Sequence, residues 1–475
     1  MSTYESDKAR ENSPAIIFLF LIIIIGLLGG AYYLGPRFER EAPQIKLTPD
    51  SDVLGLAPMD IGVTDQGAGL KSVTATLSTG GSEHTLASEQ YAQPVTEKKI
   101  TVALSSKLTG VKEGPAVLRV SARDGSLWNF FHGNETVIQK NLTIDITPPT
   151  VELIADDHYV NFGGVGVIVY KPSADTVTSG IRIGGHFFPG FQGQIKGHPD
   201  HFIALFAHPY NVPVDAKAVL VATDKAGNTK EMPLVYELKN VKYKKSTIAI
   251  SENFLQSKMA PLLNDVGARQ GTPKDVFLRV NKALRKENED KIAAITRKST
   301  PTILWSGAFS QLSNSKVEAN FADEPTYTYD NEPIDTAYHL GYDLSVTKHY
   351  PVEAANSGTV AFAGDLGIYG NTVILDHGLG LFTLYGHLSF IDVKVGDSIK
   401  QRQIIGRTGE TGLAAGDHLH YGVYLHGVAI LPVEWWDQKW INDNVQPKLD
   451  GQSGEAIAES QESKAARKPA RRRRR

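Results

Sequence analysis

At 475 residues the chain is longer than one compact core organises, and its length predicts roughly three domains. With 21% charged and 41% apolar residues the composition is that of a folded protein, and the absence of cysteine excludes disulfides, thiolate metal sites and a cysteine nucleophile. Of the 49 basic residues eight fall between Lys464 and Arg475, so 41 face the 52 acidic ones, and a body of about −11 argues against specific nucleic-acid binding.

The first element is Ala15–Leu34, twenty residues without a charge. At about 1.5 Å per residue it matches the roughly 30 Å hydrocarbon core of a bilayer. Tyr32 and Tyr33 stand where an interfacial aromatic belt lies, and they make a poor small-residue cleavage site. The segment 15–35 is therefore expected to be an uncleaved, single-pass anchor after a cytoplasmic tail, 1–14. Flanking charges do not orient it, because Lys8 and Arg10 precede it and Arg37 and Arg40 follow.

Residues 44–147 and 148–240 read as two β-sandwich modules acting as a spacer. Short alternating runs such as Ser72–Leu77 end on Gly, Asp and Ser turns. A partial echo links Leu118–Gly125 to Val219–Asn228, each an alternating strand entering an Asp/Gly turn. Thr147-Pro148-Pro149 resembles the junction that opens bacterial immunoglobulin-like domains. Over 251–300 the period changes: Asp275–Leu284 spaces apolar residues three and four apart, and Thr272-Pro273 is a helix start. Two short helices are expected there, as an adaptor. Gly-rich strands return over 326–440. From 446 to 475 the chain is polar and closes on Arg471–Arg475, which predicts a disordered basic tail able to contact anionic lipid or wall polymer.

Seven of the fourteen histidines fall between His339 and His426. In Asp417–Leu425 the strand period of two puts His418, His420, Gly422 and Tyr424 on one face and an apolar stripe on the other. Two imidazoles opposite such a stripe line a groove. In Leu381–Leu388 the same period points Thr383, Tyr385 and His387 one way. His339 and Asp343 are four residues apart, roughly 13 Å in a straight strand, so a shared ion requires a bend, which Gly341 permits. Imidazole nitrogen and carboxylate oxygen both suit zinc, and a second imidazole, from the His418-x-His420 strand, completes three protein ligands with one open position.

The segments HLGYD, YGNTVILDHG, LYGHLS, VKVGDSIKQRQIIGRTGETG and GDHLHYGVYL, in this order and spacing, closely resemble the lysostaphin/LytM-type peptidoglycan metalloendopeptidases over roughly Tyr338–Trp436. The resemblance implies one Zn2+ held by His339, Asp343 and His420, with His387 and His418 beside it as general base and as oxyanion and leaving-group partner, in an order left open. It also implies a largely antiparallel β fold with a narrow groove, peptidoglycan as partner, and cleavage of its peptide cross-links. The alternative is a silent regulator or binding module for other wall hydrolases, which would lack one or more of the five residues. Val393–Lys400 also resembles a half-repeat of lipoyl-carrier domains, without their presented lysine. His377 reads as a hairpin-turn residue, His349 and His426 as surface or loop residues, and Tyr385 and Tyr421 as packing. His158, His186, His198, His201 and His208 form a loose cluster without a matching third ligand motif. The expected architecture is thus mainly β: an N-terminal transmembrane helix, two sandwiches, a helical adaptor and a C-terminal antiparallel-β zinc peptidase domain. The expected location is the inner membrane of a bacterium, with the catalytic domain periplasmic.

Overall fold

The computed structural model describes residues 14–104, 111–264, 267–452 and 454. Most of the expected tail 1–14 and of the basic tail lies outside these residues. The chain divides into two compact units, residues up to Pro148 with Thr223–Thr229, and Pro149–Ala222 with residues from Lys230 onward.

In the first unit, Pro14–Leu34 is a 21-residue helix. Among the described residues no helix is long and apolar enough to cross a membrane. Beyond the helix, the alternation read in Ser72–Leu77 is the buried stripe of strand Leu70–Thr79, where Leu70, Val73, Ala75 and Leu77 are wholly buried. That strand lies in a five-stranded sheet, and Gln44–Thr48, Met59–Thr64 and Glu97–Val102 form a three-stranded one. One cluster, including Ile61, Val63, Leu118 and Val120, fills the space between them.

The echo noted above has a physical basis. Asp124 and Asp224 each close a strand while buried, and each carboxylate accepts from an asparagine's side-chain and backbone N–H, those of Asn134 and Asn228.

In the second unit the module expected over 148–240 is not a free-standing spacer. Val165, Phe188 and Phe206 belong to the same core as Tyr385 and Trp435. Glu434, buried, accepts from Val165 N at 2.8 Å and Asn161 Nδ2 at 2.7 Å. The adaptor also differs from two simple helices. Its second stretch runs Pro273–Leu278, Arg279–Leu284 and Arg285–Thr296 without a break, the middle third wound as a π-helix. Thr272 starts it as read: its hydroxyl accepts from Asp275 N, and Asp275 reaches back to Thr272 N, a reciprocal cap.

The C-terminal sheet begins earlier than 326. Its strands run in the order Lys316–Ala319, Tyr342–Ser345, Leu419–Leu425, Leu381–Leu388, Asn371–Asp376, Gly358–Asp365 and Ser398–Ile399, with Val428–Ile430 beside Leu419–Leu425. Every pairing in it is antiparallel. Glu324–Tyr329 instead pairs in parallel with Lys245–Ala249, so the start of the expected domain belongs to a neighbouring sheet. The tail expected from 446 is ordered at first: Gln446–Leu449 is helical, and Lys448 is buried in an ion pair with Asp157. Composition missed this because a single buried lysine looks like any other tail charge.

His377 opens the hairpin turn between Asn371–Asp376 and Leu381–Leu388, as read, but its ring is completely buried in the core. Its Nδ1–H donates to the Ser357 carbonyl at 2.7 Å, and its Nε2 meets the Thr383 hydroxyl at 2.7 Å, with Tyr385 Oη 3.0 Å further along. Burial holds the ring down to about 4. A histidine lowered on folding contributes stability that is complete above 6.5 and is lost as pH falls towards 4, at most about 3 kcal/mol for this one. The urea midpoint of the second unit is therefore expected to fall between pH 7 and pH 4.5, and His377→Gln to make that fall smaller. An unchanged fall would assign the acid sensitivity elsewhere.

Candidate metal centre and its cleft

Register assembles the site. In the sheet Asp343 pairs with His420, and His420 pairs on its other side with Gly386. One row across three strands therefore holds a carboxylate, an imidazole and a glycine. His418 lies just before its strand, bridged to Gly409, and shares the side of His420 as the period of two requires. His339 reaches the row from the loop before Tyr342, held by a hydrogen bond from its Nδ1–H to the Asn320 carbonyl at 3.0 Å.

His387 arrives by a different route from the one expected. Tyr385 pairs with Tyr421 and packs on its face, at 5.6 Å between rings, so strict alternation would turn His387 away from His420. Asn371 pairs with Leu388 and Val373 with Tyr385, leaving Thr372 opposite both Gly386 and His387. This bulge, with φ of 62° at His387, turns the imidazole to the His420 side. Its ring sits 4.8 Å from that of His418 and 5.8 Å from that of His420.

The centre is a triangle. His339 Nε2 and His420 Nδ1 each lie 3.0 Å from Asp343 Oδ1 and 3.1 Å from one another. His418 Nε2 is 3.5 Å from the same oxygen. A tetrahedral ion with bonds of about 2.0–2.1 Å has ligand edges of about 3.3 Å, close to this triangle. The protonation pattern agrees: with Nδ1–H committed to Asn320, neutral His339 turns a lone pair on Nε2 inward. The three residues thus fit a zinc-sized cation and leave one side open. His387 and His418 stand on that side, each with Nδ1–H on a carbonyl at 2.8 Å, Thr411 and Gly416 respectively. Both therefore present Nε2 to the cleft.

Electrostatics follow from burial and one negative charge. Burial works to raise Asp343, but the His339 charge and three imidazole contacts prevail and hold it well below the usual carboxylate range. Burial works to lower His339 and His418, and Asp343 outweighs it in both, so both are raised. Burial, then the charges of His418 and His420, pushes His387 down to about 3; burial likewise takes His420 down to about 4.

The cleft over the centre encloses about 600 Å³. Its walls come from the sheet, from strand Lys245–Ala249 and from the helical adaptor, through Phe254, Met259, Phe277 and Arg285. Sequence reasoning missed Tyr369, whose ring stands 5.3 Å from that of His420, and the carbonyls of Asn320, Thr411 and Gly416. Backbone acceptors leave no signal in residue type. Tyr385 and Tyr421 are buried packing residues. His349 is exposed; His426, expected at the surface or in a loop, lies in the turn before Val428–Ile430, where its ring is buried and stacks on Phe191 at 5.7 Å. Of the middle histidines, His198 and His201 stack at 4.5 Å, and none of the five joins a potential metal-holding group among the described residues.

Gly341 makes the expected bend and has a second role. A Cβ there would lie 2.6 Å from the Tyr421 carbonyl oxygen and 2.7 Å from His420 Nε2. Gly341→Ala is therefore expected to displace the His420 ring, costing about 1–3 kcal/mol of stability and on the order of 100-fold in activity. Metal content and turnover of the purified variant check this; wild-type values would show that the ring has room to yield.

Residues 337–432 match Peptidase family M23. The chain is 38% identical over 95 residues to the DD-carboxypeptidase/endopeptidase Mpg of Neisseria meningitidis, a match covering 20% of this chain and 22% of that protein. It is 37% identical over 91 residues to the peptidoglycan DD-endopeptidase ShyA of Vibrio cholerae, covering 19% and 21%. The chain thus spans about a fifth of the length of these relatives. Among solved structures, a putative peptidase M23 of Pseudomonas aeruginosa aligns with a TM-score of 0.37 at 20% identity, over 58% of this chain and 93% of that one. The strand row that joins Asp343 to His420, and the bulge that turns His387 beside them, lie within the matched segment: the C-terminal part of this chain is a lysostaphin/LytM-type domain of Peptidase family M23.

Proposed function

We propose that the protein is a zinc-dependent endopeptidase that hydrolyses the peptide cross-links of peptidoglycan. One observation carries the reading: two imidazole nitrogens and a carboxylate oxygen converge within 3.1 Å, with two further imidazoles on the open side. When bound, zinc supplies Lewis acidity towards a carbonyl and towards water. His339, Asp343 and His420 would hold it. His387 and His418 each turn an Nε2 to the reacting region, so one accepts the proton of the attacking water. The other donates to the developing oxyanion and then to the leaving amine. The regulator alternative requires a missing position, and all five carry the expected residue.

The same reading places the catalytic unit outside the cytoplasm of a bacterium, anchored by Pro14–Leu34. Support comes from the uncharged sequence of that helix and from its exposed Phe18, Phe20, Ile25 and Leu27. The basic tail would add contact with anionic lipid or wall polymer. Incubating the detergent-solubilised full chain with defined cross-linked muropeptides, followed by mass spectrometry, tests the activity. New amine and carboxylate ends that appear with zinc and vanish with a chelator are the expected result. Unchanged muropeptides at full zinc content would reject the reading.

A further inference from the structure

Arg285 is a cleft residue that the metal centre does not use. It stands at the junction of the π-wound and α-helical parts of the adaptor, outside the segment that matches the family. Its guanidinium is held in place: Nε and Nη2 both donate to Asn281 Oδ1, at 3.2 and 3.1 Å. Asn281 is itself buried and fixed, its Nδ2 donating to Asp335 Oδ2 at 2.8 Å. Holding a guanidinium through a neutral amide orients the fork without neutralising it.

Three neighbouring acids are engaged elsewhere. Asp335 pairs with Lys282 at 3.5 Å, and Glu318 with Lys316 at 2.9 Å. Asp323 accepts from the Asn320 and Lys244 amides. Glu289, one helical turn on, feels the Arg285 charge but forms no ion pair with it, and among the described residues no other carboxylate does. Of the five guanidinium donors two are used, so the Nη1 edge is available in a cleft whose walls include Phe277, Tyr327, Tyr338 and Tyr369. An oriented guanidinium beside aromatic rings, with Lys244 the other cationic side chain of the cleft, suits a planar anion on an otherwise compact ligand.

We propose that Arg285 is a specificity-determining residue that binds a free carboxylate of the peptide lying in the cleft. The proposal rests on the endopeptidase reading for the identity of that peptide. A charge-assisted pair of this kind is worth about 10- to 100-fold in affinity.

The test is a binding titration of the solubilised full chain, with chelator present so that nothing is cut. The probes are an alanyl tetrapeptide with its C-terminal carboxylate free and the same peptide as its carboxamide. The wild type is expected to prefer the carboxylate at least about 10-fold. Arg285→Gln is expected to bring the ratio near one while leaving carboxamide affinity unchanged, and Arg285→Lys to fall between. Equal affinities in the wild type, absence of binding included, would overturn the proposal. So would an Arg285→Gln protein that weakens both peptides alike, because a wall residue would do that. If Arg285→Gln does not fold, the Arg285→Lys ratio decides. Cleavage is assayed separately with zinc restored: a carboxylate preference without hydrolysis would sink the endopeptidase reading and leave the subsite standing.

Discussion

His420→Ala is expected to yield a folded protein that retains little metal and hydrolyses no muropeptide at a measurable rate. Three features make this residue the most sensitive of the five. It supplies one corner of the ligand triangle, 3.0 Å from Asp343 Oδ1 and 3.1 Å from His339 Nε2. It sits at the centre of the strand row, between Asp343 and Gly386, so no neighbouring side chain is placed to substitute for it. It is almost wholly buried, and the alanine variant leaves a space beside Tyr369 that the sheet backbone cannot close. Loss of an outer partner of a metal ligand already costs 10–100-fold in affinity, so loss of a ligand is expected to cost at least about 100-fold. The stability cost should remain near 1–3 kcal/mol, because the remaining strand contacts are untouched. Elemental analysis, a thermal melt and the muropeptide assay separate these effects. Full zinc content in a folded His420→Ala protein would remove the residue from the ligand set. His418→Ala is the matched control: its Nε2 is 3.5 Å from Asp343 Oδ1 and outside the triangle, so metal should be kept while turnover falls.

How much of this was legible beforehand depended on which physical rule each residue obeys. His418 and His420 obey strand alternation, a strictly local rule, and the pattern alone put them on one side. That His420 and not His418 joins His339 and Asp343 depends on register between Tyr342–Ser345 and Leu419–Leu425, segments separated by more than seventy residues, and was expected only through family resemblance. Gly341 was singled out for the bend it makes, and its second role left no local signal. It is needed because the His420 ring and the Tyr421 carbonyl crowd the space where its side chain would be, a contact between chains of atoms far apart in sequence. The second sandwich was read as an independent spacer because its strands alternate like those of the first. Its burial against the peptidase domain is carried by few residues, Glu434, Lys448 and Phe188 among them, whose roles have no periodic signature. The adaptor was seen as helical from its apolar spacing and its Thr272 cap. That it lends Arg285 to the cleft wall is a fact of tertiary packing which the helix period cannot express.

His387 carries the clearest departure from local pattern, and its variants have the second largest expected effect. Alternation assigns it to the Tyr385 face, yet the bulge opposite Thr372 and a left-handed backbone deliver it beside His418. A left-handed conformation costs a non-glycine residue about 1–2 kcal/mol, so the fold holds this ring in place against a local preference. His387→Ala is expected to keep its metal, since no ligand atom is removed, and to lose about 100- to 10,000-fold in turnover, the range for one proton-transfer group. His387→Gly should be equally inactive but more stable than His387→Ala by about 1 kcal/mol, because glycine accepts the left-handed backbone that alanine resists. The paired measurement separates chemistry from geometry: turnover reports the missing imidazole, and the melting difference reports the strain. If alanine and glycine variants melt alike, the backbone has relaxed and the bulge is not what aims the ring. If His387→Ala turns over like the wild type, proton transfer falls to His418 alone, whose Nε2 is the remaining imidazole nitrogen on the open side of the triangle.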